Sequence, residues 1–528
     1  MKKTILLTLC CSIALFSQSS EKPVPLYSGL GNWTHPIAAR TIEAQKYFDQ
    51  GLALSYGFNR EESLRSFRKA AQLDPQAPMA YWGIALALGP YVNMDGDASY
   101  NIKESCAAVR QGLALKNINA TEREWLDAAN TRCPDFADPA RYIRAMHDLA
   151  AKYPDDLDAQ TLYADALMTA VRWRWYSNDG KPAAGVLEAE HVLEAVMRRS
   201  PNHAGANHLY IHVVESSPNP ERAIPSSQRL MGIVPSEGHM VHMPGHIWLV
   251  MGDYENAASV NERAVLADQK YFADSGVMGS YYPYYLHNIS FILYARSMQG
   301  RLAASKAAEL QMSAAAAPMA KMMPEMAGVF DATIKMTQLR MNQWDDLLAL
   351  PKPQAKDPLL AAWWYYCRAM AMAGKGRMDD ARRAREEFET ARKALDPKTP
   401  WGQNLTGDVM NLASTVLEAR VQNSPAAAIP IWKRAVSLED ALIYDEPPAW
   451  YYPVRESLGA ALFLAKDAAG AEAVFHEGLR RSPNNGRMLF GLLESLKAQQ
   501  KTQAAFEVKK EFDRAWNGSD INLRIADL

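Results

Sequence analysis

The stretch 44-AQKYFDQGLALSYGFNREESLRSFRKAAQLDP-75 decides the fold. It reads as two helices closing into a hairpin. The small residues Gly51, Ser63 and Ala70 let the helices approach closely, Phe67 fills the gap to whatever packs next, and Pro75 ends the second helix because it lacks an N–H.

The same phase runs on. Counted from Ala44 as position 1, Gly51, Ser63, Phe67, Ala70 and Pro75 stand at positions 8, 20, 24, 27 and 32. That pattern resembles the tetratricopeptide repeat (TPR) family. It continues at Pro78 and returns at Leu157, at Ala204 and at Gly238, whose unit carries the turn 252-GDYENA-257. Looser units follow the turns 300-GRLAASKAA-308 and 376-GRMDDARRA-384, and Gly459, Ala471, Phe475, Leu479 and Pro483 restore the pattern near the end. No alternating strand pattern competes, so the expectation is an all-α, TPR-type α-solenoid of about eight to ten hairpins. Its expected bounds are residues 44–515, with a lead-in over 20–43 and a tail over 516–528. The segments 209-LYIHVVESS-217 and 444-YDEPPAWYYPVRESL-458 are also similar to a group of exported bacterial TPR proteins.

The chain has 528 residues, 48% of them hydrophobic, and a formal net charge of -2. Nucleic acid and anionic membranes both need clustered Lys and Arg, so neither is an expected partner. Residues 1–19 carry two lysines, an apolar run from Thr4 to Phe16 and a small-residue exit, which reads as a secretory signal. The run is short of the ~20 residues that span a bilayer, so no stable membrane insertion is expected. The protein is expected to be exported, either periplasmic or secreted. Beyond that signal only Cys106, Cys133 and Cys367 remain, too few for a thiolate metal site. Cys106 and Cys133 fall at the same end of a helix pair, where they either form a disulfide or stay as free thiols.

Histidine carries the functional signal. Seven of the eleven histidines lie within residues 203–287, where an even spread would put about two. His208 and His212 recur as His242 and His246, each 34 residues later. In the repeat frame these are positions 5 and 9, off the stripe Asn207, Tyr210, Ile211 and Val214 that builds the hairpin core. Glu215 extends the first set and His239 the second. The resemblance implies that this stripe lines the concave groove, where first helices stack side by side at ~8–10 Å between axes. His287 is offered by the next repeat, and Asp158 and Asp165 by the preceding one.

Imidazoles with one or two carboxylates and no thiolate suit a transition metal (Cu, Zn or Fe) better than Ca or Mg. The expected ligands are His208, His212, Glu215, His239, His242, His246 and His287, more than one tetrahedral ion uses. Either two ions bind, or some of these groups support the others or touch a substrate. Pro244 interrupts the second set: its helix either starts there, leaving His239 and His242 on a loop, or bends and turns both inward. The functional expectation is a metal site in the groove, with enzymatic chemistry left open. The alternative is a metal-free scaffold that holds a peptide, a protein or a small molecule there.

Overall fold

The computed structural model describes residues 23–528 except 94–100, 277–278, 323 and 354–357; the signal read in residues 1–19 lies outside the described residues. From Ile42 to Ala515 helix follows helix, each packed on its neighbours in sequence. The strands among the described residues are one two-residue ladder, Pro400–Trp401 against Asn404–Leu405, and a bridge between Tyr176 and Pro182. The architecture is an all-α, TPR-type solenoid.

The local chemistry explains the repeat. Thr41 caps helix Ile42–Tyr56 through Ala44 N, and Asn59 caps helix Arg60–Leu73 through Glu62 N. Phe67 is fully buried between Gly51 of its own hairpin and Gly83 of the next. A Cβ on either glycine would come within 2.7 Å or 2.2 Å of the ring. Phe475 repeats this wedge between Gly459 and Gly491, with distances of 2.5 and 2.2 Å. The glycines therefore set the helix spacing that the aromatic ring fills.

Two large hydrophobic clusters and a smaller one run along the described chain. One large cluster is built from residues between Phe48 and Ile247, the other from residues between Leu249 and Leu528, and the smaller from residues between Val265 and Phe330. The two large clusters meet at the histidine-rich helices. Segments far apart in sequence also meet: Asn178 Nδ2 donates to the carbonyls of Asp440 and Leu442 at 2.9 and 3.0 Å, and Tyr254 Oη to that of Pro483 at 3.0 Å. Arg340 and Arg487 both grip the buried Glu456, at 2.6 and 2.8 Å. Cys106 and Cys133 form a disulfide, and Cys367 is a buried thiol.

The lead-in is a strap. Tyr27 N donates to Gln50 and Ala38 N to Glu122, Ser236 N donates to the Gly29 carbonyl, and Arg40 pairs with Asp74. Trp33 Nε1 and His35 Nδ1 both reach Asp158 at 2.9 Å.

Candidate metal centre

Helix Ala204–Glu215 is buried along its whole length. It begins at His203, whose Nδ1 accepts from Ala206 N at 3.1 Å while its Nε2–H donates to Asp158 at 3.2 Å. Both nitrogens of His203 are thus committed to structure. One turn further, His208 and His212 face inward, with Glu215 below them.

The second unit is bent, as one of the two sequence readings allowed. Helix Gly238–His242 runs through Met243, in helical conformation, into helix Pro244–Val250. The missing N–H of Pro244 breaks the ladder without unwinding it, and His239, His242 and His246 all end up buried. Gly245 has its own reason: a Cβ there would lie 2.5 Å from Asn261 Nδ2. His287, on helix Tyr282–Met298, is half-buried beside His242, with ring centroids 4.8 Å apart.

These helices bring all seven expected ligands together. The donor atoms of His208, His212 and His239 lie within 4.8 Å of one another, as do those of His242, His246 and His287. A third trio, His212, Glu215 and His246, joins the two sets. The stripe is not an open groove surface, however. Phe58 lies against His208 at 4.4 Å between centroids, and Trp173 packs edge-on against His212 at 5.7 Å.

The hydrogen bonds fix which nitrogen of each ring faces the centre. His208 Nδ1–H donates to the Tyr56 carbonyl, and His212 Nδ1–H to Glu215 Oε1 at 3.1 Å. Asn261 Nδ2 donates to the Ala257 carbonyl, so its Oδ1 accepts from His242 Nδ1–H at 2.6 Å. His246 Nδ1–H donates to Glu215 Oε2 at 2.5 Å and also faces Glu446. His208 and His242 thus turn an Nε2 lone pair inward, and His212 and His246 do the same when Glu215 is ionised, the arrangement in which metal-bound histidines are held by an oxygen behind them. His208 Nε2, His212 Nε2 and both nitrogens of His239 are buried without a protein hydrogen-bond partner. His242 Nε2 and His246 Nε2 face each other at 2.6 Å, a separation met either by a proton shared between the two rings or by a cation beside them.

Burial, reinforced for most of the rings by the neighbouring imidazoles, keeps them neutral. His208 and His287 are pushed down to about 4, and His212, His239, His242 and His246 well below the usual histidine value. Burial also pushes Glu215 and Glu446 well above the carboxylate range, and in Glu215 the facing Glu446 adds to it.

Two expected neighbours lie elsewhere. Asp158 is taken up by Trp33, His35, Tyr56 and His203. Asp165 is buried, which raises it to about 6 against the pull of Arg132 and Arg60, and among the described residues no cluster of metal-binding donors includes it. His35 anchors the strap through Asp158. Sequence reasoning missed Asn261, which takes the His242 Nδ1 proton, and Glu446. Glu446 sits in the segment between helices Pro425–Asp440 and Val454–Leu464, whose Ile443 N–H and C=O are both held by the Asn404 amide at 2.7 and 3.0 Å. Its signal was an acid inside the Pro- and aromatic-rich run 444-YDEPPAWYYP-453, longer than most helix connections in bundles. Glu446 also lines a cavity of about 240 Å³ with Tyr254, Tyr294, Glu439 and Trp450.

No protein-family model matches the chain, and no curated protein matches it either. Among solved structures it is similar to the crystal structure of yeast Tom70, at 12% identity and a TM-score of 0.29, over 89% of this chain and 90% of that one. It is also similar to Naa15/Naa10 bound to HypK-THB, at 13% identity and a TM-score of 0.21, over 90% of this chain and 74% of that one. At such scores neither likeness bears on function, and the fold rests on the order and packing of the helices.

Proposed function

We propose that this solenoid holds a transition metal through His208, His212, His239, His242, His246 and His287, with Glu215 and Glu446 behind them. The carrying observation is that His208, His212, His242 and His246 each have an oxygen at Nδ1, an obligatory acceptor for His208 and His242 and Glu215 for the other two, which leaves Nε2 of each buried ring for an ion. Neutral imidazoles without thiolate favour Cu, Zn or Fe. Glu446, which meets His246, also lines a cavity large enough for a small molecule. Where such a molecule reacts, the protein is a metal-dependent enzyme. Export is part of the proposal, supported by the leader-like first residues and the Cys106–Cys133 disulfide. Among the described residues no helix is long and apolar enough to cross a membrane.

Elemental analysis of the purified mature protein tests the proposal, as isolated and after incubation with Cu, Zn or Fe salts and desalting. Stoichiometric metal is expected in the wild type and a marked loss in His208→Ala and His246→Ala. Wild-type protein that stays metal-free in every preparation yet binds a peptide would make it a scaffold instead. The burial of the histidine stripe speaks against that outcome, because an extended peptide needs an open surface.

A further inference from the structure

The six imidazoles divide into two equal sets. His208, His212 and His239 come from helices Ala204–Glu215 and Gly238–His242. His242, His246 and His287 come from Gly238–His242, Pro244–Val250 and Tyr282–Met298. Within each set the donor atoms lie within 4.8 Å of one another, close enough for small rotations to bring three nitrogens to the ~2 Å reach of a metal ion.

Each set has its own phenyl wall. Phe58 lies 4.4, 5.8 and 5.1 Å from the rings of His208, His212 and His239. Phe291 lies 4.6, 5.1 and 5.0 Å from those of His242, His246 and His287. The 34-residue period relates His208 and His212 to His242 and His246, while His239, His287 and the two phenyl rings complete each set from outside that period.

The trio that spans both sets is of another kind. Glu215 meets His212 and His246 through their Nδ1 atoms, each on its own carboxylate oxygen, at 3.1 and 2.5 Å. It is therefore a clamp behind one ligand of each set, and the Nε2 faces remain available on both sides of it. The ring centroids of His212 and His246 are 5.3 Å apart and those of His239 and His242 5.5 Å, so the two sets are adjacent. Two-metal sites hold their ions about 3.5–4 Å apart, which neighbouring pockets of this kind can reach.

We infer that the protein binds two first-row transition ions, one on His208, His212 and His239 and one on His242, His246 and His287. Glu215 fixes one ligand of each. Three protein ligands leave each ion an open position. The pair is built to take a small oxygen or nitrogen donor such as hydroxide or azide between the ions. The inference rests on the proposed metal reading and adds to it the number of ions and the division of the ligands.

The test uses full-length mature protein stripped with a chelator and reloaded with Cu(II). Bound copper is counted by elemental analysis after desalting, and its electron paramagnetic resonance is integrated. The wild type is expected to hold two equivalents with less signal than two isolated ions give, and azide should perturb its absorption spectrum. His239→Ala and His287→Ala are each expected to keep one equivalent with the full signal of a single ion. If a thermal melt shows either variant unfolded, His208→Gln or His242→Gln replaces it. One equivalent in the wild type, lost in variants of both sets, would overturn the two-ion inference while leaving a metal protein. Two equivalents retained in variants of either set would overturn the division of ligands. No bound copper, zinc or iron at all would sink the metal reading beneath both.

Discussion

Asn261 touches no inward-facing nitrogen, yet it decides how His242 stands. Its amide is oriented by the Ala257 carbonyl, it takes the Nδ1 proton of His242, and it has room only because residue 245 is glycine. Removing such a support typically weakens metal binding about 10–100-fold. Asn261→Ala is therefore expected to lower affinity by that factor in a competition titration, with the helical circular dichroism unchanged. Affinity equal to wild type would show that Asn261 does not hold the ring. At this scale the sequence was readable in part. The 34-residue recurrence gave His208, His212, His242 and His246, because a repeat places equivalent positions side by side. Asn261 and Glu446 were hidden, since neither lies on the stripe and their roles arise only when other elements fold over it.

For the helices, the unit that matters is the aromatic wedge. Phe67 against Gly51 and Phe475 against Gly459 were readable in advance because glycine and phenylalanine recur at fixed positions, whereas the second glycine of each wedge, Gly83 and Gly491, emerged only from the packing. Overpacking a filled interior costs about 1–3 kcal/mol. Gly83→Ala and Gly491→Ala should each destabilise by that amount in chemical denaturation. The sites share no neighbours, so the double variant should lose the sum. A cost near zero for either would mean that the ring moves aside. The bend at Pro244 was visible as a choice between two outcomes. Burial decided it, because the apolar neighbours Met240, Val241 and Ile247 keep both halves of the helix in the core.

At the scale of the whole molecule, Glu456 joins helices far apart in sequence. Burial alone would raise it, but Arg340 and Arg487 outweigh that and hold it below the usual carboxylate range. A carboxylate whose pKa is depressed on folding contributes stability that is complete above its unfolded value, near 4.5, and is lost as pH falls through the folded value. The melting temperature should therefore drop as pH falls below about 4.5. Glu456→Gln should melt lower than wild type at pH 7, because two arginines are left buried without their partner, and the gap should narrow toward acid pH. A gap that stayed constant across the titration would show that the charge of Glu456 is not what links these helices. This long-range closure was not legible, since a repeat pattern specifies neighbours and says little about which distant turns meet.

The strap formed by the lead-in has a consequence for how the molecule comes together in time. Its backbone and side chains find Gln50 at once, but Glu122, Asp158 and Ser236 only after those residues exist and have folded. The first part of the described chain to be synthesised must therefore wait, loose, while some two hundred residues behind it take shape, and it settles as a latch over a structure already built.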